Sequence, residues 1–180
     1  GCGLVHLLCM GMEVEHKFLV TGDAWRAGVT SAVRIVQGYL TPPGDGQSGL
    51  ATVRVRTKGD RAFLTIKGPS SGTARSEFEY EVPVPDALAM LAELAQGPVI
   101  DKVRHLVPVG DHVWEVDVFE GANAPLVMAE VELAAPDEPF ARPEWAGLDV
   151  SDDPRYYNAN LAREPYSAWA GQTSPGTAVE

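Results

Sequence analysis

The chain is poor in the residues that most often carry metal or redox chemistry. It has two cysteines, Cys2 and Cys9, both within the first nine residues, and four histidines, none beside another. That set supports neither a disulfide framework nor a Cys/His zinc site, and a reducing compartment is the simpler expectation. Cations are scarce too, with 14 Lys plus Arg against 25 Asp plus Glu and a formal net charge of −11 over 180 residues. Such a balance speaks against nucleic acid or an anionic membrane as partner. No apolar run is long enough to span a bilayer. The opening "GCGLVHLLCMG", residues 1–11, has neither a basic region nor a small-residue cleavage site, so it reads as a disordered extension rather than a signal peptide. Together these absences place the chain in the cytoplasm as an expectation. No repeat, low-complexity tract or linker divides it. Residues 12–170 are expected to form one domain, with 171–180 a small, polar, frayed tail.

What is present is a strongly β-like pattern. Alternation bounded by turn residues predicts strands near 12–20, 32–40, 50–58, 61–67, 75–83, 99–108, 112–120 and 126–133. Connectors such as "KGDR" at 58–61 and "VGDHV" at 109–113 are hairpin-like and imply antiparallel pairing. A helix is predicted at 86–96, with Asp86 as N-cap and Gly97 followed by Pro98 at its end. Weaker helical signals lie at 23–28 and 152–162. The expected fold is mainly β (α+β): an eight-stranded antiparallel closed barrel, which removes exposed edges, with a few peripheral helices.

The strands share one peculiarity. "MEVEHKF" at 12–18 sends Glu13, Glu15 and Lys17 to one face and Val14, His16 and Phe18 to the other. The same division recurs for Arg54 and Arg56; for Lys67 beside Thr65; for Arg75, Glu77, Glu79 and Glu81; for Lys102 and Arg104; for Glu115 and Asp117; and for Glu130 and Glu132. A curved sheet with its charged face in water has this alternation as well. Against that reading, like charges fall in pairs at i and i+2, where they repel unless an opposite charge lies between them. Seven of the fourteen cations, Lys17, Arg54, Arg56, Lys67, Arg75, Lys102 and Arg104, belong to this face. If the face turns inward, so dense a lining must be satisfied by water, a polyanion or divalent metals. Arg and Lys clamp phosphoryl oxygens, and grouped carboxylates suit Mg²⁺ or Mn²⁺. Both together suit phosphoryl transfer.

The Glu-x-Glu-x-Lys opening at 13–17, with the Arg-x-Arg, Lys-Gly, Arg-x-Glu-x-Glu and Glu-x-Glu strands, resembles the CYTH domain of the triphosphate tunnel metalloenzymes. The resemblance runs from Met12 to Trp169. It implies an eight-stranded antiparallel tunnel, dependence on Mg²⁺ or Mn²⁺, and a small-molecule triphosphate held along the tunnel. "QGYL", "WEVDVF", "AEVEL", "RYYNANL" and "PYSAW" are similar to the bacterial and plant members associated with tripolyphosphate hydrolysis. Carried over by position, the resemblance implies Glu13, Glu15, Glu130 and Glu132 as metal ligands with Glu79 and Asp117 in support. It implies Lys17, Arg54, Arg56, Lys67, Arg75, Lys102 and Arg104 on phosphate oxygens. Tyr39 with Lys102 resembles a pairing that protonates or orients the leaving phosphate; the plain alternative for Tyr39 is a packed strand aromatic. His16 stands where the familiar motif has Arg, on the opposite face, and should affect packing more than chemistry.

The expected activity is hydrolysis of the terminal phosphate of a linear triphosphate, first of all inorganic tripolyphosphate, by a monomer or homodimer. The alternatives are a thiamine triphosphatase, nucleoside triphosphatase or adenylyl cyclase on the same fold, or a non-catalytic polyphosphate or nucleotide binder. Trp114, Trp145 and Trp169 are expected to anchor helices and the C-terminal segment on the barrel exterior.

Overall fold

The structure, a computed structural model, describes residues 14–42, 51–68 and 77–171. The predicted ligands Glu13 and Arg75, the segment 1–11 and residues 172–180 lie outside that set.

Nine strands form one antiparallel sheet. They are β1 (Val14–Val20), β2 (Ser31–Tyr39), β3 (Thr52–Lys58), β4 (Arg61–Lys67), β5 (Glu77–Val82), β6 (Ile100–Val109), β7 (His112–Phe119), β8 (Val127–Leu133) and β9 (Ala146–Asp149). Their order is β5-β4-β3-β2-β6-β7-β8-β1-β9. The mainly β, antiparallel reading holds, and all eight predicted strands are present within two residues at their ends. The ninth, β9, lacks alternation in its sequence; it pairs with β1 at Phe18 and Val20 across a register shift. No ladder joins β5 to β9, the two ends of the order, so closure by hydrogen bonding is not seen among the described residues.

Period-two alternation gives this sheet two unlike faces. One is apolar and carries two separate cores. Phe18, Trp114, Val116, Ala129 and Val131 pack with Trp25 and Trp145, which come from the 3₁₀ turn Ala24–Gly28 and the segment leading into β9. Trp25, Trp114 and Phe18 are among the largest fully buried side chains; truncating any of them to Ala would cost about 3–5 kcal/mol. Further along, Val55, Ala62 and Val36 meet Ala87 and Leu91 of α1 (Val84–Glu93). Pro83, not Asp86, is the N-cap of α1; Pro85 lies in the first turn, where a proline ring is preset for a helix start, and Asp86 sits inside the same turn. Helix α1 packs across β3 and β4 and reaches β2 at Gly38 through Leu91. A Cβ built on Gly38 would stand 3.0 Å from Leu91 Cδ2 and 3.2 Å from the methyl of Ala95, just past the end of the helix, so a larger residue here would push these neighbours back by a few tenths of an ångström.

The other face carries the charges. One end of it is apolar: Tyr39, Ile100, Phe119 and Met128 form a third core with Val150, Tyr156 and Leu161. Those partners come from the C-terminal segment, the 3₁₀ turn Pro154–Tyr156, α2 (Asn158–Arg163) and α3 (Tyr166–Trp169). Trp169, edge-on to Tyr156 and Tyr166, belongs to the same cluster. The expectation that this segment docks on the exterior is therefore corrected: it seats on the charged side, where the strand ends offer aromatics instead of ions. Trp114 and Trp145 do lie on the apolar face, in edge contact with each other. No described helix is long and apolar enough to cross a membrane.

Candidate active site on the charged face

Register decides which charges meet. Lys17 stands opposite Glu130, and Glu15 opposite Glu132, in the β1–β8 ladder. Glu115 stands opposite Glu130 in β7–β8, and Arg104 opposite Asp117 in β6–β7. Two carboxylate pairs are thus directly opposed across strands, which is destabilising unless cations intervene. They do. Lys17 Nζ donates to Glu130 Oε1 at 2.7 Å and also to Glu15. Arg104 forks onto both oxygens of Asp117 at 2.7 Å and 2.7 Å, reaches Glu130 Oε2 at 3.0 Å, and pairs with Glu115. Lys102 Nζ donates to Asp117 Oδ2 at 2.5 Å and to Asn158 Oδ1 at 3.4 Å, with the Phe119 ring 5.3 Å away.

The centre of this cluster is buried, while Glu15 and Glu115 at its rim are partly exposed. The side chains of Lys102 and Asp117 are 2% and 0% exposed, and those of Arg104 and Glu130 are 14% and 6%. Burial favours the neutral form of each group, and the neighbours reverse that preference selectively. At Asp117 burial is overcome by Lys102 and Arg104, which hold its carboxyl below the ordinary value. At Lys17 and Arg104 burial is likewise overcome by the surrounding carboxylates, and both cations are held more firmly protonated than usual. Glu115 goes the other way: burial, with Glu130 and Asp117 nearby, outweighs Arg104 and raises its pKa.

A second cluster occupies β3, β4 and β5. Arg56 Nη2 reaches Glu79 at 3.2 Å, Arg54 Nη2 lies 3.6 Å from the same carboxylate, and Thr65 Oγ1 bridges them, accepting from Arg54 at 3.2 Å and donating to Glu79 at 2.8 Å. Lys67 pairs with Glu77 at 3.0 Å at the end of the ladder. One carboxylate between two guanidiniums is a thin supply of negative charge. Burial first, then Arg56, pushes the Arg54 pKa down despite Tyr39 and Glu79.

The structure thus brings Glu15, Lys17, Lys102, Arg104, Asp117 and Glu130 into one network, and Arg54, Arg56 and Glu79 into another. Glu132 is exposed beside Glu15. Tyr39 is buried, and its cross-strand neighbour is Arg54; Lys102 stands opposite Ile35, further along β2. Three members escaped the sequence reading of the site: Glu115, Asn158 and Gln37. Glu115 shares a face with Asp117 and was visible as such; Asn158 and Gln37 carry no charge, so the alternation that flagged the others is silent about them.

The donor set fits a hard divalent cation in chemistry, since the opposed carboxylates Glu15, Glu132, Glu130 and Glu115 offer only oxygen. Among the described residues, no three acidic, His or Cys side chains converge closely enough to chelate an ion; Lys17 and Arg104 hold the carboxylates instead. Asp117 has both oxygens engaged by Lys102 and Arg104, and Glu79 sits among guanidiniums, so each serves here to place cations.

Comparison with known proteins points the same way. Residues 11–161 match the CYTH domain. An inorganic triphosphatase of Acetivibrio thermocellus is 43% identical over 157 residues, spanning 87% of this chain and 97% of the relative. One from Nitrosomonas europaea is 36% identical over 153 residues, spanning 83% and 96%. The crystal structure of the inorganic triphosphatase NE1496 superposes with a TM-score of 0.63 at 35% identity, over 83% of this chain and 93% of that one. A Hippeastrum protein described as an adenylyl cyclase with a dominant triphosphatase activity shares the fold, with a TM-score of 0.52 at 17% identity over 69% and 81%.

Proposed function

This chain belongs to the CYTH domain family, and from that premise we propose that it is a phosphoric anhydride hydrolase that cleaves the terminal phosphate of inorganic triphosphate. The observation that carries the reading is a single sheet face with a buried, charge-balanced cluster at one side and an anion-poor guanidinium cluster at the other. A linear polyanion laid across β2 meets both.

In this reading Arg54, Arg56 and Lys67 hold phosphoryl oxygens, with Arg75 as an expected further contact. Arg is suited to bidentate contacts and Lys to point-charge ones. Lys17, Lys102 and Arg104, fixed in place by Glu130 and Asp117, present positive charge that needs no reorganisation as negative charge shifts to the leaving oxygen. Tyr39 beside Arg54 is the candidate proton donor to that oxygen. Glu15, Glu130 and Glu132, with the expected Glu13, would hold Mg²⁺ or Mn²⁺, which would neutralise phosphoryl oxygens and lower the pKa of the attacking water. The products are orthophosphate and pyrophosphate.

Inorganic triphosphate is favoured over organic ones because two relatives at 43% and 36% identity are inorganic triphosphatases and the aromatic groups of this face are buried or stacked on guanidiniums. Tyr39 and Phe119 lie under the C-terminal helices, and the Phe63 ring lies 5.5 Å from the Arg56 guanidinium carbon and 5.0 Å from that of Arg61.

The test is phosphate release from tripolyphosphate, thiamine triphosphate and ATP with Mg²⁺, with Mn²⁺ and with chelator. Metal-dependent release, fastest on tripolyphosphate, is expected. Intact substrates with a tripolyphosphate-induced rise in Tm would reduce the chain to a binder.

A further inference from the structure

Five buried side-chain nitrogens have no hydrogen-bond partner among the described residues. Two, His16 Nδ1 and Trp114 Nε1, are on or behind the apolar face, and Asp149 lies 3.8 Å from the former. The other three are Gln37 Nε2, Arg54 Nε and Arg56 Nε. These share the charged face of two adjacent strands, where Gln37 stands opposite Arg56 and Tyr39 opposite Arg54. All three need an acceptor, since guanidinium N–H groups and an amide NH₂ only donate. Glu79 reaches the guanidinium tips, leaving the Nε groups and the amide unserved.

Gln37 is the most unusual of them. It is 2% exposed, more deeply buried than either arginine side chain, and its strand neighbours offer no acceptor: Arg56 on one side and Ile100 on the other. Interiors seldom leave such a group unpaired, because the amide loses its water without replacement. A Leu or Met of similar volume would fill the same space without that cost. Its position in the sheet is equally particular, in the strand that separates the two charged clusters, between Arg56 of one and the strand that carries Lys102 of the other.

Building on the reading above, we propose that Gln37 is a substrate-binding residue whose amide N–H donates to a triphosphate oxygen at the centre of the face, where an uncharged donor adds recognition without adding positive charge. Arg54 and Arg56 supply the charge beside it, and Gln37 supplies the floor. An anion oxygen at this point accepts from the amide and from the neighbouring guanidiniums together. The three orphaned donors would thereby gain their acceptors from the ligand.

A waiting donor and a structural amide respond oppositely to Gln37→Met. Removing a waiting donor leaves the ligand-free Tm at or above that of the parent and weakens tripolyphosphate binding about tenfold or more, the loss of one hydrogen bond to a charged acceptor. Binding is read by titration calorimetry with tripolyphosphate in chelator, and by its effect on Tm, so turnover does not enter. Parent-like affinity in the variant overturns the proposal whatever its Tm. Should Gln37→Met fail to fold, Gln37→Glu serves, since a carboxylate opposite Arg56 puts negative charge where the anion would sit and repels it. Affinity then falls more than a hundredfold, and parent-like affinity again overturns the role. If the parent neither binds nor hydrolyses tripolyphosphate, the functional reading itself fails, and that outcome is distinct from a variant that matches a competent parent.

Discussion

The two sides of the charged face solve the same electrostatic problem differently. Around β1, β6, β7 and β8, the buried cations Lys17, Lys102 and Arg104 each have a carboxylate within 3.0 Å, and Arg104 touches three of them. Around β3, β4 and β5, Arg54 and Arg56 share Glu79, and their Nε groups have no partner among the described residues. The first cluster is complete without a ligand, and its charges are fixed by one another. The second is short of anion and is held in place by the sheet. A face that must grip a polyanion and also steady one reacting end needs both: a side that gains acceptors on binding, and a side whose geometry does not change.

The widest separation between them should come from Asp117→Ala. It strips Lys102 and Arg104 of their shared counterion, and a buried charge without partner costs about 3–5 kcal/mol. Urea unfolding should show that loss, and activity should vanish with it. An Arg54-side truncation of comparable severity would remove activity while sparing stability. Near-parental stability of Asp117→Ala would mean that the first cluster is wetter than its burial implies.

An acid titration sharpens the contrast further. The depressed pKa of Asp117 contributes stability that is fully present above the ordinary aspartate value of 3.8 and is lost as pH falls through the lower folded value. Glu115, raised above 4.5, has the opposite sign: it opposes folding when ionised, and takes up a proton first as the solution is acidified. Because Glu115 faces Glu130, its protonation removes negative charge beside a carboxylate that would hold the metal, and divalent-ion affinity should decline before the fold does, beginning above pH 4.5. Following Mn²⁺ affinity and near-ultraviolet circular dichroism over the same series would check the order, and simultaneous loss would contradict it. The smallest effect belongs to Arg61→Gln. Arg61 pairs with Glu81 at 2.6 Å, but both are exposed, so Tm should not move measurably.

The strands and their two-faced character were legible because alternation is a local property that survives without knowledge of neighbours. Which charge meets which was not, because register is set by the whole sheet. The family resemblance implied Asp117 as a supporting metal ligand; the pairing of β7 with β6, which no local pattern announces, is what brings it to Lys102 and Arg104. The C-terminal segment was misplaced for a related reason. Its aromatics announce that it docks somewhere, but nothing local says that Tyr39, Ile100 and Phe119 form an apolar patch on an otherwise ionic face. Strand β9, four residues long and paired through a register shift, offers no periodicity to read.

Gly38 sits between Gln37 and Tyr39, with its missing side chain toward α1. Because Leu91 and Ala95 press on the strand from behind at this point, the front of β2 has a stiff backing and cannot recoil when charge is brought against it. The helix and the ionic face are thus mechanically in series through one peptide thickness. An added methyl at position 38 would be felt less as a local clash than as a forward displacement of the two side chains on either side of it. Variation at Leu91, on the side of the sheet away from the ionic face, is a means of adjusting the depth of the site by fractions of an ångström.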